Sequence, residues 1–104
     1  HLVNRAHAEG YQVILLFFWL PSPEMAVERV AKRVSEGGHN IPTDVVYRRY
    51  QKGLENLFEV FMPIVDAWMI FDNSAESTLV AHDFKIVNPV LFEKIKQQCR
   101  KKKN

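Results

Sequence analysis

The nine residues from Gln12 to Leu20 (QVILLFFWL) constrain this chain more than any other stretch, because they form an apolar run with no polar alternation. Gly10 and Pro21 bound it on either side. A run this short, rich in β-branched and aromatic side chains, reads as a strand of a parallel sheet covered on both faces. It is far below the ~20 residues a membrane helix needs. Whatever surrounds it must therefore supply helices for the faces and further strands for the edges.

The rest of the chain supplies both. Leu2–Glu9 puts Leu2, Val3 and Ala6 on one helical face and stops at Gly10, a suitable left-handed cap. Ser22 and Pro23 provide an N-cap and a first-turn proline for a second helix, in which Val27, Val30, Ala31 and Val34 share a face. That helix should close at Gly37 and Gly38. After the loop GGHNIP, Thr43 is the expected cap of a third helix carrying Tyr50, Leu54, Leu57, Phe58, Phe61 and Val65. Pro63 should end or kink its regular part by removing a backbone donor. Ala67–Phe71 reads as a second buried strand, closed by Asp72, Asn73 and Ser74. Thr78–Ala81 and Phe84–Val87, around His82 and Asp83, read as a short antiparallel hairpin on an edge. Asn88 and Pro89 then cap a last helix with Val90, Leu91, Ile95 and Cys99 on its apolar face. The pattern predicts one α/β domain over 1–104, with a partial open parallel sheet, flanking helices and a C-terminal hairpin and helix.

Composition limits what such a domain does. With 104 residues and 47% hydrophobic content the chain can bury a core, yet it is small for a complete nucleotide-dependent enzyme. The first residue is His1, not Met, within a pattern that already looks helical, which fits either a processed product or further residues upstream. The formal charge is only +2, much of it in the tail Arg100, Lys101, Lys102 and Lys103, which argues against nucleic acid as a partner and for a solvated, frayed end. Cys99 is the only cysteine, so no intrachain disulfide can form and a reducing cytoplasm is the expected setting.

The chemistry concentrates between Arg29 and Tyr50. Arg29 and Arg33 lie one helical turn apart and repel by roughly 0.2–0.5 kcal/mol unless an anion or acid sits between them. Glu36 is within reach of Arg33, so a solvated charged face with Glu28 and Lys32 is the competing explanation. Arg48 and Arg49 stand across the glycine loop, near the start of the next helix. Guanidinium forks match phosphate oxygens, and two such pairs folded together about a Gly-Gly hinge could enclose a polyphosphate. His39, in that hinge, either donates to a phosphate or caps a helix end. His1, His7 and His82 are scattered without ligand spacing, so no metal site is assigned. Asp66 ends the long helix and Asp72 a strand; a carboxylate at the carboxyl end of a parallel strand is a usual ligand contact, yet Asp-Asn-Ser is also ordinary turn chemistry, and neither is assigned as a catalytic base.

The succession GYQVILLFFWLPSPEMAVERVAKRVSEGGHNIP, followed by RRYQKGLENLFEVFMPIVDAWMIFDNS, closely resembles the C-terminal half of the zeta-toxin-like P-loop kinases. The resemblance runs from about Leu2 to Ile95, with GGH, IP, RRY and DNS as its most specific points. It implies an ATP- and Mg-dependent phosphotransferase acting on a small-molecule acceptor, with Val13–Leu20 as the fourth strand of an open parallel sheet. It also implies that Arg29, Arg33, Arg48 and Arg49 form a phosphate-contacting lid, and that Asn73 and Ser74 lie near the base of the nucleotide. The chain contains no G-x-x-x-x-G-K-[ST] loop, and the acidic residue that activates the acceptor belongs to the same absent half, as do the Mg ligands. Two readings follow. In one, the chain is a lid-bearing kinase fragment, inactive alone and pairing either with itself or with its missing half; in the other, it is a non-catalytic module that binds an anion, nucleotide or protein.

Overall fold

The computed structural model describes residues 2–101, so His1 and the end of the basic tail (Lys102, Lys103) lie outside it. In chain order the elements are α1 (Leu2–Ala8), β1 (Ile14–Trp19), α2 (Pro23–Ser35), α3 (Thr43–Glu55), β2 (Ala67–Asp72), β3 (Thr78–His82), β4 (Lys85–Ile86) and α4 (Pro89–Lys101). A π-helical turn, Asn56–Phe61, extends α3. The architecture is α/β, with one open four-stranded sheet in the order β1-β2-β3-β4. β1 and β2 run parallel, from Ile14 opposite Ala67 to Trp19 opposite Asp72. β2–β3 and β3–β4 are antiparallel, so the sheet is mixed, and the C-terminal hairpin continues it. A bulge after Ile70 makes Val80 the extra residue on β3, and both Val80 and Ala81 are buried.

One face of the sheet carries the core. Trp19, Ile70, Val80 and Ala81 pack with Leu54 of α3, Leu57 of the π-helical turn, and Ile95 and Cys99 of α4. Burying a side chain such as Ile95 or Leu54 is worth roughly 1.5–3 kcal/mol, which makes this layer the main source of stability. Trp68 stacks on Phe92, and Phe58 meets the same ring edge-on, closing the layer at its far end.

The other face departs from the sequence reading. β1 alternates, with Leu15, Phe17 and Trp19 turned to the core while Ile14 (61% exposed), Leu16 (49%) and Phe18 (53%) are not covered. An unbroken apolar run therefore served here as a strand covered on one face only. Phe18 stacks on Phe71 at 5.3 Å, giving that open face an aromatic centre.

The helix ends follow local chemistry. Ser22 Oγ accepts the Met25 amide at 3.2 Å with Pro23 in the first turn, as expected. Gly37 adopts φ +95°, its amide bonds Val34 O, and the Gly38 amide bonds Arg33 O at 2.6 Å. That pair of bonds is a Schellman terminus, so both glycines are committed to ending α2. Thr43 is not a cap. Pro42 holds the N-cap position with no side-chain bond, and its carbonyl accepts from Val45 and Val46. Ahead of Pro63 the helix widens, with Met62 donating to Leu57 O, five residues back. Asn88 Oδ1 caps α4 through the Leu91 amide, but Val90 points outward at 83% exposure, leaving Leu91, Ile95 and Cys99 as the packed stripe.

Candidate functional site

A pocket of about 310 Å³ opens between α2 and α3 at the carboxyl end of β1. The carboxyl end of a strand in an open α/β sheet is the usual place for a ligand. Its floor is apolar, from Phe17, Trp19, Val46 and Leu54, and its rim carries Arg29 and Arg33 from α2 and Arg49 from α3. The lining holds three guanidinium groups and no carboxylate.

The three arginines are not equivalent. Arg29 is half-buried, and its guanidinium donates to the carbonyls of Asn73 (2.9 Å) and Ser74 (3.1 Å) beyond β2. This ties α2 to the end of the second parallel strand. Arg33 and Arg49 are exposed and have no ion pair among the described residues; Glu36, expected within reach of Arg33, makes no salt bridge to it. The charges of Arg33 and Arg49 thus stand on the rim of a pocket whose lining holds no acid.

The remaining sequence candidates fall elsewhere. Arg48 is exposed on α3 and does not line the pocket. His39 is exposed in the 36–42 loop and also lies outside the lining. Asn73 and Ser74 reach the site only through the carbonyls that hold Arg29. Asp72 Oδ1 accepts the Ser74 amide at 2.9 Å, as turn chemistry predicts. Asp66 sits at the opposite end of the sheet, where it accepts from Val13 N (2.6 Å) and meets His7 Nε2 (2.8 Å). The Val13 amide first, and His7 second, hold its carboxyl below the usual range. It is remote from the arginines and forms a clasp between α1 and β2.

Several pocket-forming contacts have no obvious sequence signature. Tyr47 OH donates to Glu24 at 2.6 Å, bracing α3 against the first turn of α2, and this bond raises the phenol's pKa. Tyr50 OH donates to Leu20 O at 2.6 Å, and burial pushes its pKa up to about 12. Gln98, on α4, accepts from Trp19 Nε1 (2.9 Å) and donates to Pro21 O (2.9 Å). Together these groups fix the turn between β1 and α2, where the pocket begins. The only hint of Gln98 in the sequence is a polar residue three positions after Ile95, inside the apolar stripe of the last helix.

Among the described residues, no group of three His, Cys, Asp or Glu side chains could hold a metal ion, and no helix is long and apolar enough to cross a membrane. Comparisons with protein-family models, curated proteins and solved structures returned no match.

Proposed function

We propose that this chain is the arginine-bearing C-terminal portion of a zeta-toxin-like, ATP-dependent small-molecule phosphotransferase of the cytoplasm. The supporting observation is the convergence of Arg29, Arg33 and Arg49 on one acid-free pocket at the carboxyl end of a parallel strand. A nucleoside triphosphate suits such a site, since its phosphates can take the two unpaired guanidiniums while an apolar floor excludes water. Arg29 keeps α2 in place, whereas Arg33 and Arg49 are the phosphate contacts. Arg48 and His39 stand outside the pocket, and on this reading they contribute at most to a longer polyphosphate or to the acceptor.

The residues present do not fit a magnesium site. Asp72 is the carboxylate at the pocket end of the sheet, and it is engaged with the Ser74 amide. On the resemblance, metal, phosphate loop and catalytic base would be supplied from outside these residues, and without them transition-state charge has little preorganised stabilisation. The chain alone should bind a polyphosphate and transfer nothing. Binding without transfer is also the second reading, a non-catalytic anion-binding module, which is favoured by a pocket that lies wholly within these residues.

Calorimetric titration with ATP and magnesium tests the site. Arg33→Ala or Arg49→Ala should each weaken binding about 10- to 100-fold, taking a charged hydrogen bond at ~1.5–3 kcal/mol, while Arg48→Ala should leave it unchanged. Equal losses from all three would show bulk charge rather than a built site. Phosphoryl transfer by the purified chain would refute the inactive-fragment reading, and an upstream reading frame encoding a Walker A loop would favour the kinase over the module.

A further inference from the structure

We propose that the β3–β4 turn and the start of α4 dock on an anionic lipid bilayer, with Phe84, Val87 and Val90 entering the interface and Lys85 and Lys94 meeting the headgroups. None of these residues lines the arginine pocket, and β4 stands at the end of the sheet away from β1, so the inference is independent of the nucleotide reading. Phe84 carries it. The turn joins His82 of β3 to Lys85 of β4, a two-residue connection in which glycine is the usual second residue. Here that place holds a phenylalanine at 91% exposure, its amide donating to His82 Nδ1 and its ring set across that imidazole. At such exposure the ring adds nothing to the core.

Its neighbours extend it into a patch. Every residue from Phe84 to Val90 is exposed, Ile86, Val87 and Val90 among them. The Val87 and Asn88 amides both donate to Val80 O at 2.9 Å, so the turn and the helix start are fastened to one strand. On α4, Val90 and Lys94 lie one turn apart, outside the packed stripe of Leu91, Ile95 and Cys99. An exposed apolar cluster rimmed by cations is the pattern of a contact that lies on a membrane without crossing it.

The charges favour an anionic surface. Asp83 lies 4.0 Å from His82 Nδ1, and Glu93 lies 3.9 Å from Arg100, so each acid of this segment has a basic side chain beside it. Lys85 and Lys94 have no ion pair among the described residues. A bilayer also accepts a small apolar tip, whereas an interface between proteins engages roughly 20–30 residues a side, more than one turn and one helix end supply.

Cosedimentation of the full chain with vesicles tests this. Binding is expected to phosphatidylcholine vesicles that contain phosphatidylserine, and binding to phosphatidylcholine alone should be at least about tenfold weaker, taking about fivefold per lysine. Phe84→Ser should lower affinity for the mixed vesicles about tenfold, and Lys85→Glu combined with Lys94→Glu should lower it at least about tenfold. These sites are exposed, so circular dichroism and the urea midpoint should not change. In Phe84→Trp, brominated lipid should quench more fluorescence than in wild type, whose Trp19 and Trp68 belong to the core layer. Binding indifferent to Phe84→Ser would be attraction by the basic tail alone and would overturn the proposal. So would failure to bind the mixed vesicles, or self-association of the chain that Phe84→Ser abolishes, which would make the patch a protein interface.

Discussion

Replacing Gln98 by leucine removes the amide that joins three elements, at nearly constant volume. Gln98 Oε1 accepts from Trp19 Nε1 and Gln98 Nε2 donates to Pro21 O, both at 2.9 Å. Tyr50 OH also approaches Oε1, at 3.3 Å, but its single proton goes to Leu20 O at 2.6 Å. The substitution thus orphans one donor and one acceptor and spares the tyrosine. Trp19 is only 2% exposed, so its N–H is left without water. At ~1–3 kcal/mol for each buried group deprived of its partner, the loss should be about 2–4 kcal/mol, the Pro21 carbonyl falling at the low end. In urea, with a slope of ~1–3 kcal/mol/M, the midpoint should fall by about 1–2 M, read from far-ultraviolet circular dichroism. Trp19→Phe removes the donor beforehand, so Gln98→Leu should cost at least about 1 kcal/mol less in that background. A single-mutant loss below about 0.5 kcal/mol, or additivity of the two changes, would refute the claim that this amide holds the turn.

Other consequences are equally specific. A Cβ on Gly38 would meet the Arg33 carbonyl oxygen at 2.8 Å, whereas one on Gly53 meets only Phe17 at 3.8 Å. Gly38→Ala should therefore lower the urea midpoint, and Gly53→Ala should raise stability by ~0.5–1 kcal/mol, the helix-interior preference of alanine. Tyr50 titrates near 10.0 unfolded and at about 12 folded, so in that window the unfolded chain loses a proton that the folded chain keeps. Its contribution is present below pH 10 and should fall as the pH rises toward 12. Wild type should lose this advantage over Tyr50→Phe across that interval, and parallel curves would contradict it. Arg29→Ala should cost about 1–3 kcal/mol in stability by freeing two carbonyls, while Arg48→Ala should stay within about 0.5 kcal/mol.

What was legible in the sequence follows how local each cause is. The Ser22–Pro23 start and the glycine end of α2 are settled within a few residues, and they stand where the pattern put them. The order of strands and helices was legible for the same reason, since an apolar run or stripe declares its own period. Thr43 misled because a hydroxyl beside a helix start looks like a cap whether or not the proline before it takes that position. The open face of β1 was not legible at all. Ile14, Leu16 and Phe18 are as apolar as Leu15, Phe17 and Trp19, and composition does not say which row has a helix above it. Three of the four arginines met in one pocket because a parallel strand pair carries both helices to the same end of the sheet, whereas the exclusion of Arg48 turns on helical phase, 100° per residue.

The ties around α2 bear on whether these arginines form a moving lid. A lid needs a hinge that changes conformation and a helix free to follow it. Here the Gly37 and Gly38 amides are bonded back to Val34 and Arg33, and Arg29 fastens the middle of α2 to the end of β2. The first turn is held through Glu24 to Tyr47 on α3, so both walls of the pocket are braced to each other. Opening would break several of these bonds together, whereas an anion entering between Arg33 and Arg49 breaks none of them. The walls of the pocket are thus preformed, and on the proposed reading an anion would enter between Arg33 and Arg49 without any helix moving. Selectivity would then come from the apolar floor and the spacing of two guanidiniums, not from closure over the bound ligand.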